Sequence, residues 1–399
     1  MPEVFIGIDW GEYHHHIAAI DRDGRQLVDR RITHDVAGLQ VLDDLLAPFD
    51  GPLPIAMERS EGLVVERLLA AGHRVYALNP RISARLRERY HAAAKKDDAF
   101  DAFALADGLR HDHHRWRWLS QPSDRLAELI ALTRDRRRLL ATQVKVEDQL
   151  RQILWTYHPA VTRLFSSVDR QITLEFLRDY PTPEKASRVG ERRMARFLDR
   201  NNYSGRQDPA VLVDRLREHL LDASDGTTAA KTVAALALAD QLELLNGQVK
   251  QFSGLIRDRL AAHPDGELFT SFPGADVIVG ATLLAEIGED RDRYPTASML
   301  LAEAGQVPVT KASGRTTRVH FRYAANRRLR DTFRAWAFTS IRVSPWARAT
   351  YDTARGRGRP HYRALRTVGA AWGRVLWRCW QNHTPYAPDR HRALTEMTT

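Results

Sequence analysis

The sequence predicts three structurally distinct parts: a mixed α/β domain over residues 1–120, a long helical arm over 121–262 and a mainly helical domain over 263–399. Three observations lead there. Three short strand signals follow one another near the start, then give way to alternating strand and helix signals. From about Asp124, leucines recur every three or four residues across long stretches, the spacing of packed helices. After Pro264 the helices shorten, turns intervene, and arginine accumulates toward the C-terminus.

In chain order, Val4 to Ile8 is an apolar run. His16 to Asp21 reads as a second strand, turned at Asp23-Gly24, and Gln26 to Thr33 as a third. Strands joined by such turns form an antiparallel meander. Leu39, Leu42, Leu45 and Leu46 repeat at helical spacing. They are followed by the strand Pro54 to Met57, a helix over Leu63 to Ala71 and the strand Arg74 to Leu78. Asn79-Pro80 opens a basic helix, and a further helix spans Lys95 to Leu109. This order is that of an RNase H-like domain, one of several mixed α/β folds the pattern admits.

The first long helix carries Leu126, Leu129, Leu132, Leu139, Leu140, Val144, Leu150, Ile153 and Leu154. The second runs from about Thr228 to Ala262, with Leu242, Leu245, Val249, Phe252 and Ile256 in coiled-coil steps. A basic helical stretch, Glu184 to Leu198, and a turn-rich break at Asn201 to Gly205 lie between them. The pair reads as an antiparallel coiled-coil arm and a candidate dimerisation device, with ordinary bundle helices as the alternative. Beyond it come Pro273-Gly274, helices over Val277 to Ile287 and Ala297 to Ala304, and a turn-rich segment from Gly305 to Gly314. Between Arg342 and Arg378 there are nine arginines and a single acid, Asp352.

Sixty basic residues against fifty acidic ones give a formal charge of +10. Such a balance favours a polyanionic partner through phosphate neutralisation and counterion release. A single cysteine, Cys379, excludes an internal disulfide and a multi-cysteine zinc site. No stretch reaches the length of apolar residues that crosses a bilayer, so the expectation is a cytoplasmic, nucleoid-associated protein without a membrane partner. His14 to His16 alternate along a strand, and His111, His113 and His114 sit in a polar segment. Both groups read as surface or phosphate-contact histidines rather than as metal ligands.

The chemistry-bearing pattern is acidic. Asp9 closes an apolar strand in Gly7-Ile-Asp-Trp-Gly11, and Glu58 closes another in Ile55-Ala-Met-Glu58. A carboxylate at the end of a core strand is costly to desolvate unless something compensates, and a divalent cation does so. Asp98 and Asp101 are three apart on one helix and share a face; Asp97, next to Asp98, lies off it. Four carboxylates from two strands and one helix suit a pair of magnesium or manganese ions in an in-line phosphoryl transfer. Asp-x-Gly after a strand also occurs in actin-like phosphate loops. Here Gly11 is followed by Glu12, where those loops commonly use a hydroxyl residue, and no second such loop follows.

Gly7-Ile-Asp9, Glu58 to Gly62, Val75 to Pro80 and Lys96 to Ala102 resemble the DEDD-type transposases of the bridge-RNA-guided insertion-sequence family. Phe272-Pro-Gly274, Ala304 to Pro308 and Ser313-Gly314 resemble that family's C-terminal signature, so the similarity covers essentially the whole chain. The resemblance implies a RuvC-like, RNase H-like first domain, a coiled-coil arm and a transposase domain. It implies metal binding by Asp9, Glu58, Asp98 and Asp101, and a nucleophilic serine that matches Ser313. Ala312 precedes Ser313 where members often show a second serine, which removes an ambiguity; Ser298 and Ser340 are poorer candidates under another alignment of the turn.

The function so implied is RNA-guided recombination of donor and target DNA. It proceeds through a phosphoserine intermediate in a homo-oligomer, dimer to tetramer, with a structured non-coding RNA setting sequence choice. Pro273-Gly274 before a helix also resembles a helix-hairpin-helix turn that binds phosphate. A hydrolytic RuvC-like nuclease would use the acids with water and would not need Ser313. A domesticated, non-catalytic nucleic-acid-binding protein would need neither, and the intact acidic set counts against it.

Overall fold

Period-two alternation in the first eighty residues becomes one five-stranded sheet. In the computed structural model, which describes residues 4–90, 97–313 and 316–391, the strands are β1 (Phe5–Trp10), β2 (His14–Ile20), β3 (Gln26–Thr33), β4 (Pro54–Met57) and β5 (Arg74–Ala77). Their order is β3-β2-β1-β4-β5. β1, β2 and β3 form the expected antiparallel meander, and β4 and β5 join β1 in parallel. The helices of this region are α1 (Val36–Leu46), α2 (Leu63–Ala70), α3 (Pro80–Glu88) and α4 (Asp98–Asp112).

Side-chain parity divides the sheet into two faces. Ile6, Ile8, Ile17, Ile55, Met57 and Val75 pack with Leu42 and Leu46 of α1 and with Val64, Val65 and Leu68 of α2. Phe5, Ile20, Ala56 and Tyr76 pack on the opposite face with Leu86 of α3 and with Ala104, Leu105 and Leu109 of α4. Each fully buried aliphatic or aromatic side chain contributes about 1.5–3 kcal/mol, so both faces must be covered for the sheet to hold.

Gly7 decides how closely α4 can lie. A Cβ there would stand 2.0 Å from the Ala102 carbonyl oxygen and 2.6 Å from the Ala106 nitrogen, so backbone meets backbone. Two of the boundaries that differ from the sequence expectation bear on the acids. β1 continues to Trp10, which places Asp9 inside the strand. The last helix of the region begins at Asp98, because Asp97 caps it by accepting from the Ala99 amide at 3.1 Å. Lys95 and Lys96, expected in that helix, lie outside the described residues.

Contacts divide the chain into two units, residues 1–128 with 260–399, and residues 129–259. The helices that enter or form the second are α5 (Asp124–Tyr157), α6 (Ala160–Leu164), α7 (Gln171–Asp179), α8 (Pro183–Ser187), α9 (Glu191–Arg200), α10 (Pro209–Glu218) and α11 (Asp225–Ala261). α5 and α11 run antiparallel: Arg136 donates to Ser253 at 2.8 Å and Gln143 to Asn246 at 2.6 Å. The unit has a core of its own, built around Leu150, Leu154, Phe176, Met194, Phe197, Leu212 and Leu242.

The inward stripe of α5 differs from the expected one at Val144, which is exposed, while Val146 is buried. With Gln143 turned to Asn246, the buried face steps on to 146 and 150 and leaves 144 outside. The expected helix from Glu184 to Leu198 is two, because the chain breaks at Arg188-Val189-Gly190 and Gly190 caps α9.

Residues beyond 260 form α12 (Gly266–Thr270), α13 (Val277–Ile287), α14 (Ala297–Glu303), the antiparallel strands β6 (Val309–Ser313) and β7 (Thr316–His320), α15 (Arg327–Val343), α16 (Pro345–Gly356) and α17 (His361–Gln381). Stacked Trp336 and Trp372, with ring centroids 5.5 Å apart, join α15 to α17. Ser123 donates to Glu289 at 2.8 Å and Ser120 donates to Asp290, tying this part to the end of the sheet region.

Pro273-Gly274 packs against α15. Its carbonyls accept from Trp336 at 3.0 Å and Thr339 at 2.7 Å, and Gly274, at φ 76°, sits where a Cβ would meet Ser340 at 2.7 Å. The N-terminus of α13 already carries an anion, because the Asp276 carboxylate accepts from Val279.

Gly7→Ala should therefore cost about 2–4 kcal/mol through overpacking of α4 on β1. Gly247→Ala, in α11 with no atom within 4 Å of the added methyl, should be neutral or slightly stabilising. Thermal denaturation of the two variants checks the contrast, and equal melting temperatures would contradict the close packing.

Candidate nucleic-acid-processing site

Strand parity and one helix bring the four predicted acids together. Asp9 lies on the face of β1 that bears Phe5 and Gly7, the face that α4 covers. β1 and β4 run parallel with Ile8 opposite Met57, so Asp9 and Glu58 follow as the next residues of neighbouring strands. Gly7 holds Ala102 against the strand, which brings the first turn of α4, with Asp98 and Asp101, over Asp9. That first turn is also where unpaired amides and the helix dipole best tolerate negative charge. Asp101 is buried and Asp98 exposed.

The electrostatics register the convergence. Burial, and then the charges of Asp101, Asp98 and Glu58, push the Asp9 carboxyl up from 3.8 to about 6; Arg87 acts in the opposite direction. Arg87, on α3, reaches in between the acids, with Nη1 3.0 Å from Asp101 Oδ2 and 3.8 Å from Glu58 Oε1. Among the described residues no three donors form a closed metal cage. The acids are instead assembled around a guanidinium. The donor set nevertheless fits a hard divalent cation: it is all carboxylate oxygen, it projects from fixed backbone, and Asp9 shows its need for more positive charge.

Arg87 was not singled out in the sequence, where it is one of several arginines on a basic helix. Its position depends on the anchoring of the chain just past α3. The Tyr90 hydroxyl donates to Asp107, a buried acid of α4 that also holds Arg110 at 2.6 Å. The Tyr90 ring packs edge-on against Phe100 and Phe103. On the other side of the site the residues after the two strand acids stack, the Arg59 guanidinium lying 3.7 Å from the centre of the Trp10 ring.

Asp97 and Asp98, adjacent in sequence, are separated by role, since the side chain of Asp97 is engaged in capping α4. Ser313 ends β6 and pairs with Thr316 of β7, a strand position rather than the expected turn. Gly314, named with it in the sequence motif, lies outside the described residues. Ser340 is excluded as a nucleophile: it is fully buried, donates to the Ala337 carbonyl and accepts from Trp372 at 3.0 Å.

The histidines expected on the surface divide. His16 contacts Asp29 at 2.5 Å, but His15 is 1% exposed and shares a 2.8 Å hydrogen bond with His34. Burial and the neighbouring histidines hold His15 down at about 4, a neutral packing role. No helix is long and apolar enough to cross a membrane among the described residues.

Comparison with known proteins agrees with the sequence resemblance. A model of DEDD transposases of the IS110 type matches residues 6–159, and one described as transposase IS116/IS110/IS902 family matches residues 266–352. The mini-circle putative transposase for IS117 of Streptomyces coelicolor is 34% identical, over 99% of this chain and 97% of its own length. An uncharacterized 43.6 kDa protein of insertion element IS110 from the same organism is 28% identical over 91% of this chain and 90% of its own. An uncharacterized 42 kDa protein of IS900 from Mycobacterium paratuberculosis is 28% identical over 96% and 97%.

The raised Asp9 pKa has a signed consequence for stability. Below about 3.8 Asp9 is protonated folded or unfolded, and above about 6 it is ionised in both. Between these values the folded chain holds the extra proton, so stability falls as pH rises through the window and the full penalty persists above it. Asp9→Asn removes the penalty. Without divalent metal, it should stabilise the protein at pH ~7.5 by about 1 kcal/mol, discounted for screening by water at this half-buried group, and by nothing near pH 4. Thermal melts at both pH values check this, and a variant no more stable at the higher pH would refute the electrostatic account.

Proposed function

We propose, for a chain that belongs to the IS116/IS110/IS902 family of transposases, that its DNA transposition combines a metal-dependent acidic site with a serine nucleophile under the guidance of RNA. The observation that carries the acidic half is the convergence of Asp9, Glu58, Asp98 and Asp101, felt at Asp9 as a pKa of about 6. These four residues would hold magnesium or manganese. A cation bound there supplies positive charge that offsets the negative charge of a phosphodiester at the moment of transfer. The chain's own contribution is placement. Gly7 seats α4, the strands fix Asp9 and Glu58, and Arg87 balances Asp101 and Glu58 until other positive charge arrives.

Ser313 supports the second half by its position, at the end of β6 within the segment that matches the family's C-terminal model. In this reading the Ser313 hydroxyl oxygen attacks phosphorus and gives up its proton. The bond from phosphorus to one sugar oxygen of DNA breaks, and that oxygen takes up a proton. A sugar hydroxyl of the partner strand then attacks the phosphoserine, forms the new phosphodiester and returns the proton to Ser313. One bond is made for each bond broken, so strands are rejoined without an external energy source.

The three parts expected from the sequence keep distinct tasks here. Residues 1–120 are the RuvC-like acidic domain, 121–262 a coiled-coil arm that joins copies into a dimer or tetramer, and 263–399 the serine-bearing domain. The charge of +10 suits donor DNA, target DNA and a structured guide RNA as partners in the cytoplasm, at the nucleoid.

Two experiments test the halves separately. Asp98→Ala should abolish strand cleavage while DNA binding persists, whereas Asp97→Ala should lower stability by about 1 kcal/mol as a lost helix cap and keep cleavage. Full activity of Asp98→Ala would remove that residue from the site. For Ser313, a stalled reaction should leave a denaturation-resistant protein–DNA adduct that maps to the peptide containing it. Ser313→Ala should lose adduct and recombination together. Wild-type cutting by Ser313→Ala, with no adduct in either protein, would identify water as the nucleophile and the protein as a nuclease.

A further inference from the structure

Two arginines meet on one phenyl ring at the base of the β6–β7 pair, and a third lies one turn from them. Phe321 directly follows His320, the residue of β7 that pairs with Val309 at the start of β6. The Arg330 guanidinium of α15 lies 5.3 Å from the centre of this ring and that of Arg366, on α17, 4.9 Å from it. Arg363, one turn before Arg366, adds a third charge. Tyr323, 60% exposed, stands edge-on to Phe321 at 4.9 Å, and Arg81 of α3 lies over it at 4.7 Å.

Among the described residues no carboxylate neutralises the group. Among the described residues none of Arg330, Arg363 and Arg366 has a carboxylate within ion-pair distance, although nearby arginines do. Arg328 holds Glu286 at 2.6 Å and Arg348 holds Asp352 at 2.8 Å. Burial, and then the charges of Arg363 and Arg330, push the Arg366 guanidinium below its ordinary range. A half-buried guanidinium facing two others is unfavourable in the free protein, and an anion seated among them removes the repulsion. Their rigid support shows that the cluster is built into the fold. Trp372 on α17 stacks on Trp336 of α15, and its indole donates to Ser340, so the two helices that carry the charges cannot readily part.

We propose that Arg330, Arg363 and Arg366 form a phosphate site that grips the backbone of a nucleic-acid strand at the base of β6 and β7. The planar, forked donors of arginine suit phosphate oxygens, and exposed Tyr323 offers a ring on which a neighbouring base stacks. From Val309 to Ser313 the strand covers about 13 Å at ~3.3 Å per residue, which is roughly four steps of ~3.4 Å along a nucleic-acid helix. The strand held here is thereby gripped about four nucleotides from a phosphate at Ser313. Only that spacing rests on the proposed role of Ser313; the phosphate site does not.

Fluorescence anisotropy of the full chain against labelled duplex DNA, single-stranded DNA and an RNA hairpin, across a salt series, tests the site. Arg330→Gln and Arg366→Gln should each weaken binding roughly tenfold and lower the salt slope by about one on at least one probe. The probe that responds identifies the strand held. Arg67→Gln, which removes an exposed arginine paired with Asp43, should change neither quantity. If Arg366→Gln fails to fold, Arg363→Gln carries the same test from an exposed position. Wild-type affinity and slope on all three probes would overturn the site. If the Ser313 adduct still forms in those variants, the proposed reaction stands and only this site fails. If the site binds phosphate but no adduct ever forms, the reverse holds.

Discussion

The approach of α4 to β1 at Gly7 is the constraint on which the rest of the acidic domain depends. A strand and a helix normally meet through side chains, and the acids of one would then stand well away from those of the other. With no side chain at Gly7 and methyls at Ala102 and Ala106, the two backbones touch. The distance saved brings Asp98 and Asp101 into electrostatic range of Asp9. The parallel pairing of β1 with β4 adds Glu58 from the neighbouring strand. The site is thus a by-product of core packing: the residues that carry charge are placed by residues that carry almost no side chain at all.

Such a site is held against its own repulsion. Asp9, partly withdrawn from water and facing three other carboxylates, is driven to about 6. Three devices contain the cost. The N-terminal turn of α4 offers its dipole to Asp98 and Asp101, Arg87 stands between Asp101 and Glu58, and the Tyr90–Asp107 bond anchors the chain just beyond Arg87. A cluster selected for stability alone would not keep four acids here. The strain is consistent with a site shaped for a positively charged guest, and Arg87 holds the acids in place without one.

Much of this was legible in the sequence because strand and helix periodicities report burial directly. Gln26 to Thr33, Pro54 to Met57 and Val277 to Ile287 form elements with the bounds their patterns predict. The four acids could be named because each interrupts or flanks an apolar run. What escaped has physical reasons. α6, α7 and α10 are short, and their buried residues form a pattern only when α5 and α11 are already in place around them. β6 and β7 carry Thr, Lys, Ser and Arg, so no apolar alternation marks them. Arg87 looks like every other arginine of its helix, because what distinguishes it is the acid fourteen residues later in sequence that it meets in space.

The chain therefore treats its charges in two ways. In the sheet region two arginines are paired with acids: Arg87 faces Asp101 and Glu58, and Arg110 faces Asp107. Around Phe321 the positive charges are gathered and, among the described residues, have no carboxylate partner. Both arrangements are costly in the free protein, one through carboxylates and the other through guanidiniums, and each is relieved by the opposite sign. A phosphodiester backbone with its accompanying cations brings both signs at once. On the proposed reading, the acidic and basic clusters of residues 1–128 and 260–399, which belong to one unit, would meet two components of a single guest. A protein built this way should gain order and stability when nucleic acid and divalent metal arrive together, and less when either arrives alone.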